Sequence, residues 1–400
     1  MAVRKVKEGV YSIGVKDPNL RKFDIVFDTP WGTTYNSYLI MAEKPTIVEA
    51  SKEGFQEEFL TNLKSLIDPA KIEYIVLDHS EPDHSWAVGK LLEIAPNAKV
   101  VATRAALTNM KAVLNKDFPS IAAMDGSELD LGDRKLKFIY TPFLHWPDTM
   151  MTYDEYDKIL FTCDAFGCHY CPEGDSIFDD EIGDFTEAVW VYFNSIISPF
   201  KSKVLEAIDK LRKLNIDFNV ICPGHGPILR KDPFAVVALY EKWAKEPTYD
   251  SKKVTVYYVS AYGNTKKAAE RLACKLREKG LSAHTIDATH ASKDDIDKIL
   301  QESAGIVVGS PTIAADVVEP IWNVLVNMNP IKAKGKVGAA FGSYGWSGEA
   351  LKIMEDMLKS RKMDVVEPGV KINFAPSQAD LDKIDEFAER IAEKVLNKQD

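Results

Sequence analysis

"HSEPDH", His79 to His84, follows the apolar run Ile75-Val76-Leu77 and precedes a segment with helical periodicity. Its six residues include two histidines, a glutamate and an aspartate, four side chains that can all coordinate a cation. Pro82 removes a backbone donor and drives Ser80-Glu81 toward extended geometry, which opposes a regular helix and predicts a loop after a strand. Cation-binding side chains on a turn at a strand end read as half of a metal site. The competing reading is a solvated polar loop.

Further ligands decide between the two. His145 in "FLHWPD" follows a strand ending near Thr141, Asp164 in "LFTCDAFG" follows Ile159-Cys163, and His225 in "ICPGHGP" follows "FNVIC". Each alone has an ordinary structural explanation, since Asp and turn histidines commonly bond nearby backbone. One polar ligand type at the end of each apolar strand is harder to obtain from solvated loops, and the set predicts a metal centre. His79, Glu81, Asp83, His84, His145, Asp164 and His225 offer imidazoles and carboxylates but no thiolate, and two cations are needed to use them all. Such donors suit iron or manganese as well as zinc. If Asp164 bridges, each metal receives two histidines and two carboxylate contacts and keeps open positions. Two ferrous ions, the three carboxylates and one hydroxide would then be neutral together, so the site can be buried without a stranded charge.

A chain of 400 residues exceeds one ordinary core, so two domains are expected. Hydrophobic content of 46% with 28% charged residues describes a globular chain, and no apolar run reaches the length of a membrane span. "MAVRKVKEGVYSIGV" lacks the apolar block of a secretory signal, and five cysteines without framework spacing agree with a reducing compartment. A cytoplasmic location is expected. The net charge of −10 argues against general nucleic-acid binding.

The first half opens with predicted strands at Val10-Ile13, Tyr38-Met41 and Thr46-Ala50. Helix and strand then alternate: "FQEEFLTNLKSLI", "IEYIVLD", "SWAVGKLLEIA", "KVVAT". Strands follow at Lys135-Thr141, Met150-Tyr153 and Ile159-Cys163, with helices near Phe185-Ser195 and Lys201-Leu214. "KEPTYDSKK", from Lys245, reads as a linker. Beyond it, five strands separated by helices in the remaining residues predict a doubly wound parallel sheet, which binds ligands at the carboxyl ends of its strands. The expected domains are 1-247 and 252-400.

Three loops of the second half point to a ligand. Ser260-Ala-Tyr262-Gly263-Asn264-Thr265 lies between a strand and a helix, where small hydroxyl residues and free amides cradle a phosphate. The absence of Gly-Lys-Ser/Thr excludes a Walker A loop. "GSPTIAAD", carrying Ser310, Pro311 and Thr312, and "GSYGWSGE", carrying Ser343, Tyr344, Gly345 and Trp346, add backbone approach and stacking surface. Packing aromatics are the plainer alternative.

"HSEPDH" with "LHWPD", "CDAFG" and "PGHG" resembles the metallo-β-lactamase-like αββα domain of the flavodiiron proteins, and the later loops resemble the FMN site of flavodoxin. The resemblance covers nearly the whole chain. It implies that His79, Glu81 and His145 bind one iron, Asp83, His84 and His225 the other, with Asp164 between them. Zinc hydrolases of this fold carry a histidine where Glu81 stands. The family passes electrons through FMN to two irons, where dioxygen is reduced to water or nitric oxide to nitrous oxide. It also implies a head-to-tail homodimer or dimer of dimers. The chain ends in a charged helix without a rubredoxin or flavin reductase segment, so a separate donor is expected, such as rubredoxin or a reduced flavin or deazaflavin system.

Two features depart from the family pattern. "CDAFGCHYC" clusters Cys163, Cys168, His169 and Cys171 beside Asp164, which are read as buried inert thiols rather than a redox pair or third metal site. Ser85-Trp86 replaces the usual small pair after Asp-His. The alternative functions are a zinc hydrolase domain fused to a flavodoxin-like module, which Glu81 opposes, and a pure electron carrier.

Overall fold

Ile75, Val76 and Leu77 are fully buried, yet they do not share a core. Ile75 and Leu77 pack with Phe59, Leu63, Leu91 and Met110 from helices, whereas Val76 packs with Tyr38, Phe138, Phe161 and Val220 from strands. The two-residue period of a strand thus sends alternate side chains to a helical layer and to a facing sheet. This explains why the run before His79 is apolar without interruption.

The computed structural model describes residues 3–246 and 249–398, and the chain divides into two compact units after Glu246. In the first unit, a sheet ordered Arg4–Lys7, Val10–Ser12, Tyr38–Ile40, Thr46–Val48, Tyr74–Leu77, Lys99–Ala102 and Ser120–Ala122 carries helices Gln56–Lys64, Val88–Ile94 and Arg104–Leu114 on its outer face. The second sheet runs Glu128–Asp130, Lys135–Tyr140, Met150–Asp154, Ile159–Cys163 and Val220–Pro223. Its outer face is covered by Thr186–Tyr192, Lys201–Lys213 and Pro233–Lys245. Lys201–Lys213 shows why these segments are helical. Val204, Ala207, Ile208 and Leu211 recur at one-turn spacing and are the residues it buries. The result is the expected αββα sandwich.

The second unit is a parallel sheet ordered Ser282–Asp287, Asp250–Tyr258, Ser303–Ile313, Val337–Tyr344 and Asp364–Asn373, with helices on both faces. The order second, first, third, fourth, fifth is that of a flavodoxin-like sheet.

Several elements differ from the sequence reading. Pro82–Ser85 forms one helical turn with proline at its first position, where the missing donor costs nothing. Glu81 remains extended, with φ −56° and ψ 140°. Pro82 therefore starts a turn instead of excluding one. The expected helix near Phe185-Ser195 divides into Thr186–Tyr192 and a π-helical turn, Phe193–Ile197. Arg104–Leu114 and Pro233–Lys245 are helices that the reading omitted. The linker is shorter than expected, because a strand begins at Asp250; Pro247 and Thr248 lie outside the described residues. Asp250–Lys253 are on the exposed end of that strand, where polar composition looks like a linker.

Candidate metal and flavin sites

The seven residues expected to bind metal converge at the carboxyl ends of strands in the two sheets of the first unit. His79, Glu81, His145 and Asp164 form one group whose donor atoms all lie within 4.8 Å of one another, and Asp83, His84 and His225 form another. Asp164 faces both. Its Oδ2 is 3.6 Å from His79 Nε2 and 3.5 Å from His145 Nε2, while Oδ1 is 3.2 Å from His84 Nε2 and 3.5 Å from His225 Nε2. Glu81 Oε2 stands 3.1 Å from the Nε2 atoms of both His79 and His145, and Asp83 Oδ2 stands 3.1 Å from His225 Nε2.

The donors fit cations better than they fit one another. Asp83 Oδ1 and Oδ2, Asp164 Oδ2 and His225 Nε2 are buried without a hydrogen-bond partner, and buried polar atoms are rarely left so. Burial opposes charge on His79, Glu81, Asp83 and Asp164, but opposite charges outweigh it. Hydrogen bonds to Asp148 and Glu81 push the His79 imidazole up to about 10 despite its burial. Burial likewise disfavours ionised Asp83, Glu81 and Asp164, yet the surrounding imidazoles hold all three below the ordinary carboxylate range. Protonated His79 and His84 thus balance the ionised carboxylates, a role that cations take over as those protons leave.

A further set of side chains fixes the histidines, and the sequence reading did not assign it. His79 Nδ1 donates to Asp148 Oδ2 at 3.2 Å, and Asp148 also accepts from Ser80 N at 2.9 Å and Ser80 Oγ at 2.6 Å. His225 Nδ1 donates to Thr34 O at 2.6 Å. His84 Nδ1 faces Glu49 Oε2 at 3.4 Å and Cys163 Sγ at 3.6 Å. These contacts turn each Nε2 toward the cluster. Glu49 and Cys163 have φ values of +62° and +48°, left-handed conformations that non-glycine residues hold only when their surroundings enforce them. Tyr192 OH donates to Asp164 Oδ1 at 3.0 Å. Ser85 Oγ lies 2.9 Å from Ser80 O and 3.0 Å from Glu81 O, so this departure from the family pattern ties down the ligand turn. Trp86 is partly exposed.

The cysteines are all free. Burial pushes the thiols of Cys163 and Cys168 well up, which agrees with inert thiols. Cys163 nevertheless belongs to a third buried group of donors, with Glu49 and His84. That group meets behind the His84 ring. His169 is buried, with Nδ1 2.9 Å from Thr33 Oγ1 and its ring centroid 4.9 Å from that of His225. Burial and neighbouring His225 hold its imidazole well below the usual range.

In the second unit, Gly263 adopts φ +81° and starts the helix Asn264–Glu278, leaving the first-turn amides free for an anion. Ser260 Oγ is buried without a partner, as a phosphate contact would require. Thr265 is buried and its Oγ1 lies 2.9 Å from Ser343 Oγ, so the first and third loops meet. The middle loop behaves differently. Ser310 Oγ donates to Pro311 O at 2.8 Å and accepts from Val318 N at 3.3 Å, which uses its hydroxyl within the loop. Thr312 is paired with Val317 in a short hairpin whose turn residues Ala314 and Ala315 have positive φ. Tyr262 and Trp346 are 92% and 86% exposed, an exposure that leaves their rings free to cover a planar ligand. Tyr344 ends the fourth strand and Gly345 follows it, with Asn373 Nδ2 donating to Gly345 O at 3.1 Å. Phe374, 65% exposed beside Gly345, was missed. Its position directly after the fifth strand was the available signal.

Comparison with known proteins gives a consistent result. The profile of the ODP family beta lactamases matches residues 33–226, and that of flavodoxin matches residues 256–387. A flavo-diiron protein of Clostridium acetobutylicum is 36% identical across 99% of this chain and 100% of its own. A nitric oxide reductase of Moorella thermoacetica is 35% identical, with 98% of each chain covered. The solved structure of rubredoxin oxygen:oxidoreductase from Desulfovibrio gigas superposes with a TM-score of 0.73 at 30% identity, covering 99% of both chains.

Proposed function

Because the chain belongs to the flavodiiron proteins, we propose that its clustered side chains divide between two irons. His79, Glu81 and His145 hold one, Asp83, His84 and His225 hold the other, and Asp164 is shared. The protein is an oxidoreductase in which electrons pass through FMN to a non-haem diiron centre that reduces dioxygen, nitric oxide or both. The observation supporting the ligand assignment most strongly is Asp164, whose two oxygens face different groups of imidazoles.

When bound, FMN would relay electrons and the two irons would supply the one-electron steps that reduce the gas. The chain's contribution is to hold and orient. Glu81 presents a hard anionic donor where a neutral imidazole would favour zinc. Asp148, Thr34 O and Glu49 aim the imidazoles of His79, His225 and His84. In the FMN domain, Ser260, Gly263, Asn264 and Thr265 are proposed to hold the phosphate. Tyr262, Tyr344, Gly345 and Trp346 are proposed to cover the ring, with Ser310, Pro311, Thr312 and Ser343 beside them.

The diiron domain is taken as 1-247 and the FMN domain as 252-400; the division after Glu246 supports the first bound, and the strand from Asp250 moves the start of the second toward it. A separate donor, rubredoxin or a reduced flavin or deazaflavin carrier, loads the FMN in the cytoplasm. No helix among the described residues is long and apolar enough to cross a membrane. The assembly we favour is a head-to-tail dimer, alone or paired into a dimer of dimers, since a closed two-fold makes two equivalent FMN-to-iron contacts. Mixing a subunit that lacks iron with one that lacks FMN should restore activity, and an inactive mixed dimer would contradict the pairing. The function is tested by reducing the holoprotein anaerobically and comparing its turnover of the two gases with one donor. Turnover of neither gas by fully loaded protein would refute it.

A further inference from the structure

Helix Thr186–Tyr192 passes directly into the π-helical turn Phe193–Ile197, and Tyr192 is the last residue before the change. A π turn widens a helix and is frequently found at functional sites. Here Ala188, Tyr192 and Ile196 border a cavity that Phe27, Trp31 and His169 also line. Its empty space is about 250 Å³, including its mouth. Asp28 also borders it and is paired with Lys22 at 2.5 Å, so this carboxylate does not present an isolated charge. Two of the lining side chains lead to the metal-side groups. Tyr192 donates to Asp164, and the His169 ring lies against that of His225. His169 Nε2 is buried without a partner.

We propose that this cavity is a docking pocket and entry route for the small uncharged diatomic gas that the metal centre consumes. The inference rests on the function proposed above. Phe27, Trp31, Ala188, Val191 and Ile196 make most of the lining apolar, with Ser195 a further polar member, and this favours a weakly hydrated gas over an ion. Only about 10 Å³ of that space admits the centre of a water-sized sphere, so the cavity has room for one small molecule and not for a larger metabolite. Tyr192 and His169 form its polar end, and Tyr192 stands between the cavity and the shared carboxylate.

Xenon, an apolar probe, locates such pockets without any turnover. Crystals of the holoprotein under xenon pressure should show an atom bound among Phe27, Trp31, Ala188 and Ile196, and xenon bound only elsewhere would overturn the proposal. Ala188→Leu fills the cavity, and Val191→Trp narrows it from a half-buried position at its border. In either variant, gas association with the anaerobically reduced holoprotein should slow by about tenfold at limiting gas. Iron content, FMN content and kcat at saturating gas should stay unchanged, because a route limits arrival and not chemistry. Association at the wild-type rate in both variants would also overturn it. A loaded wild-type protein that turned over neither gas would instead refute the functional reading, and the xenon position would still decide the pocket.

Discussion

His79 and Asp148 meet across the edge between the two sheets of the first unit, with Nδ1 of the imidazole 3.2 Å from Oδ2 of the carboxylate. Both side chains are fully buried. Burial favours the neutral acid, but the bonds from His79 and Ser80 bring the Asp148 carboxyl down to about 2, which makes it an anion behind His79. Asp148→Ala should lower iron affinity by about 10- to 100-fold, the usual effect of removing the partner behind a ligating histidine. Chelator competition measures this. Iron retention equal to that of wild type would show that Asp148 does not orient His79.

His225→Ala removes one imidazole from the group that also contains Asp83 and His84. Iron should fall below two per chain and gas reduction should be lost. FMN should remain, because its proposed site lies in the other unit. Iron analysis beside the flavin absorbance spectrum separates these effects, and a variant with full iron and full activity would contradict the assignment.

Thr265 and Ser343 share a hydrogen bond of 2.9 Å at the proposed phosphate loop. Thr265→Val keeps the buried shape but removes the hydroxyl. FMN binding should weaken by roughly 1.5 to 3 kcal/mol, the range for a bond to a charged group. Equilibrium dialysis against the apoprotein gives the number. Unchanged affinity would mean that the hydroxyl only braces Ser343.

Lys336 gives the second unit a pH dependence. Burial lowers its ammonium from 10.5 to about 7, although Nζ donates to Ser303 O at 2.6 Å and Gln301 O at 3.2 Å. Between about pH 7 and 10.5 the unfolded chain binds a proton that the folded chain has released. Stability attributable to this residue therefore rises with pH across that window, by an amount on the order of a few kcal/mol, and is level below it. Urea unfolding followed through flavin release should show the rise in wild type and lose that part of it in Lys336→Met. Identical pH profiles would refute the shift.

The proposed metal ligands were legible because each is a polar donor placed where an apolar strand stops, a pattern that needs no knowledge of distant contacts. The groups behind them were not. Thr34 acts on His225 through a backbone carbonyl, to which residue identity gives no clue. Asp148 lay in plain view in "FLHWPD", and the need of a ligating histidine for a carboxylate at its other nitrogen was the signal to follow. Pro82 misled the local reading because the same ring that breaks a helix interior is favoured at a helix start. In the second half, alternation of strand and helix was enough to predict the sheet. Ser310 shows the limit, since a loop hydroxyl can serve its own backbone as readily as a ligand.

The most direct test of the central claim is an electron count in a single turnover. Reduced FMN holds two electrons and each ferrous ion contributes one, which together take one dioxygen to water. Holoprotein reduced anaerobically and mixed with dioxygen in a rapid-mixing spectrometer should reoxidise its flavin while consuming one dioxygen per chain, without releasing hydrogen peroxide. Stoichiometric peroxide from dioxygen together with no nitrous oxide from nitric oxide, or flavin oxidation by either gas at the same rate after the iron has been removed, would show that the metal centre is not where the electrons go.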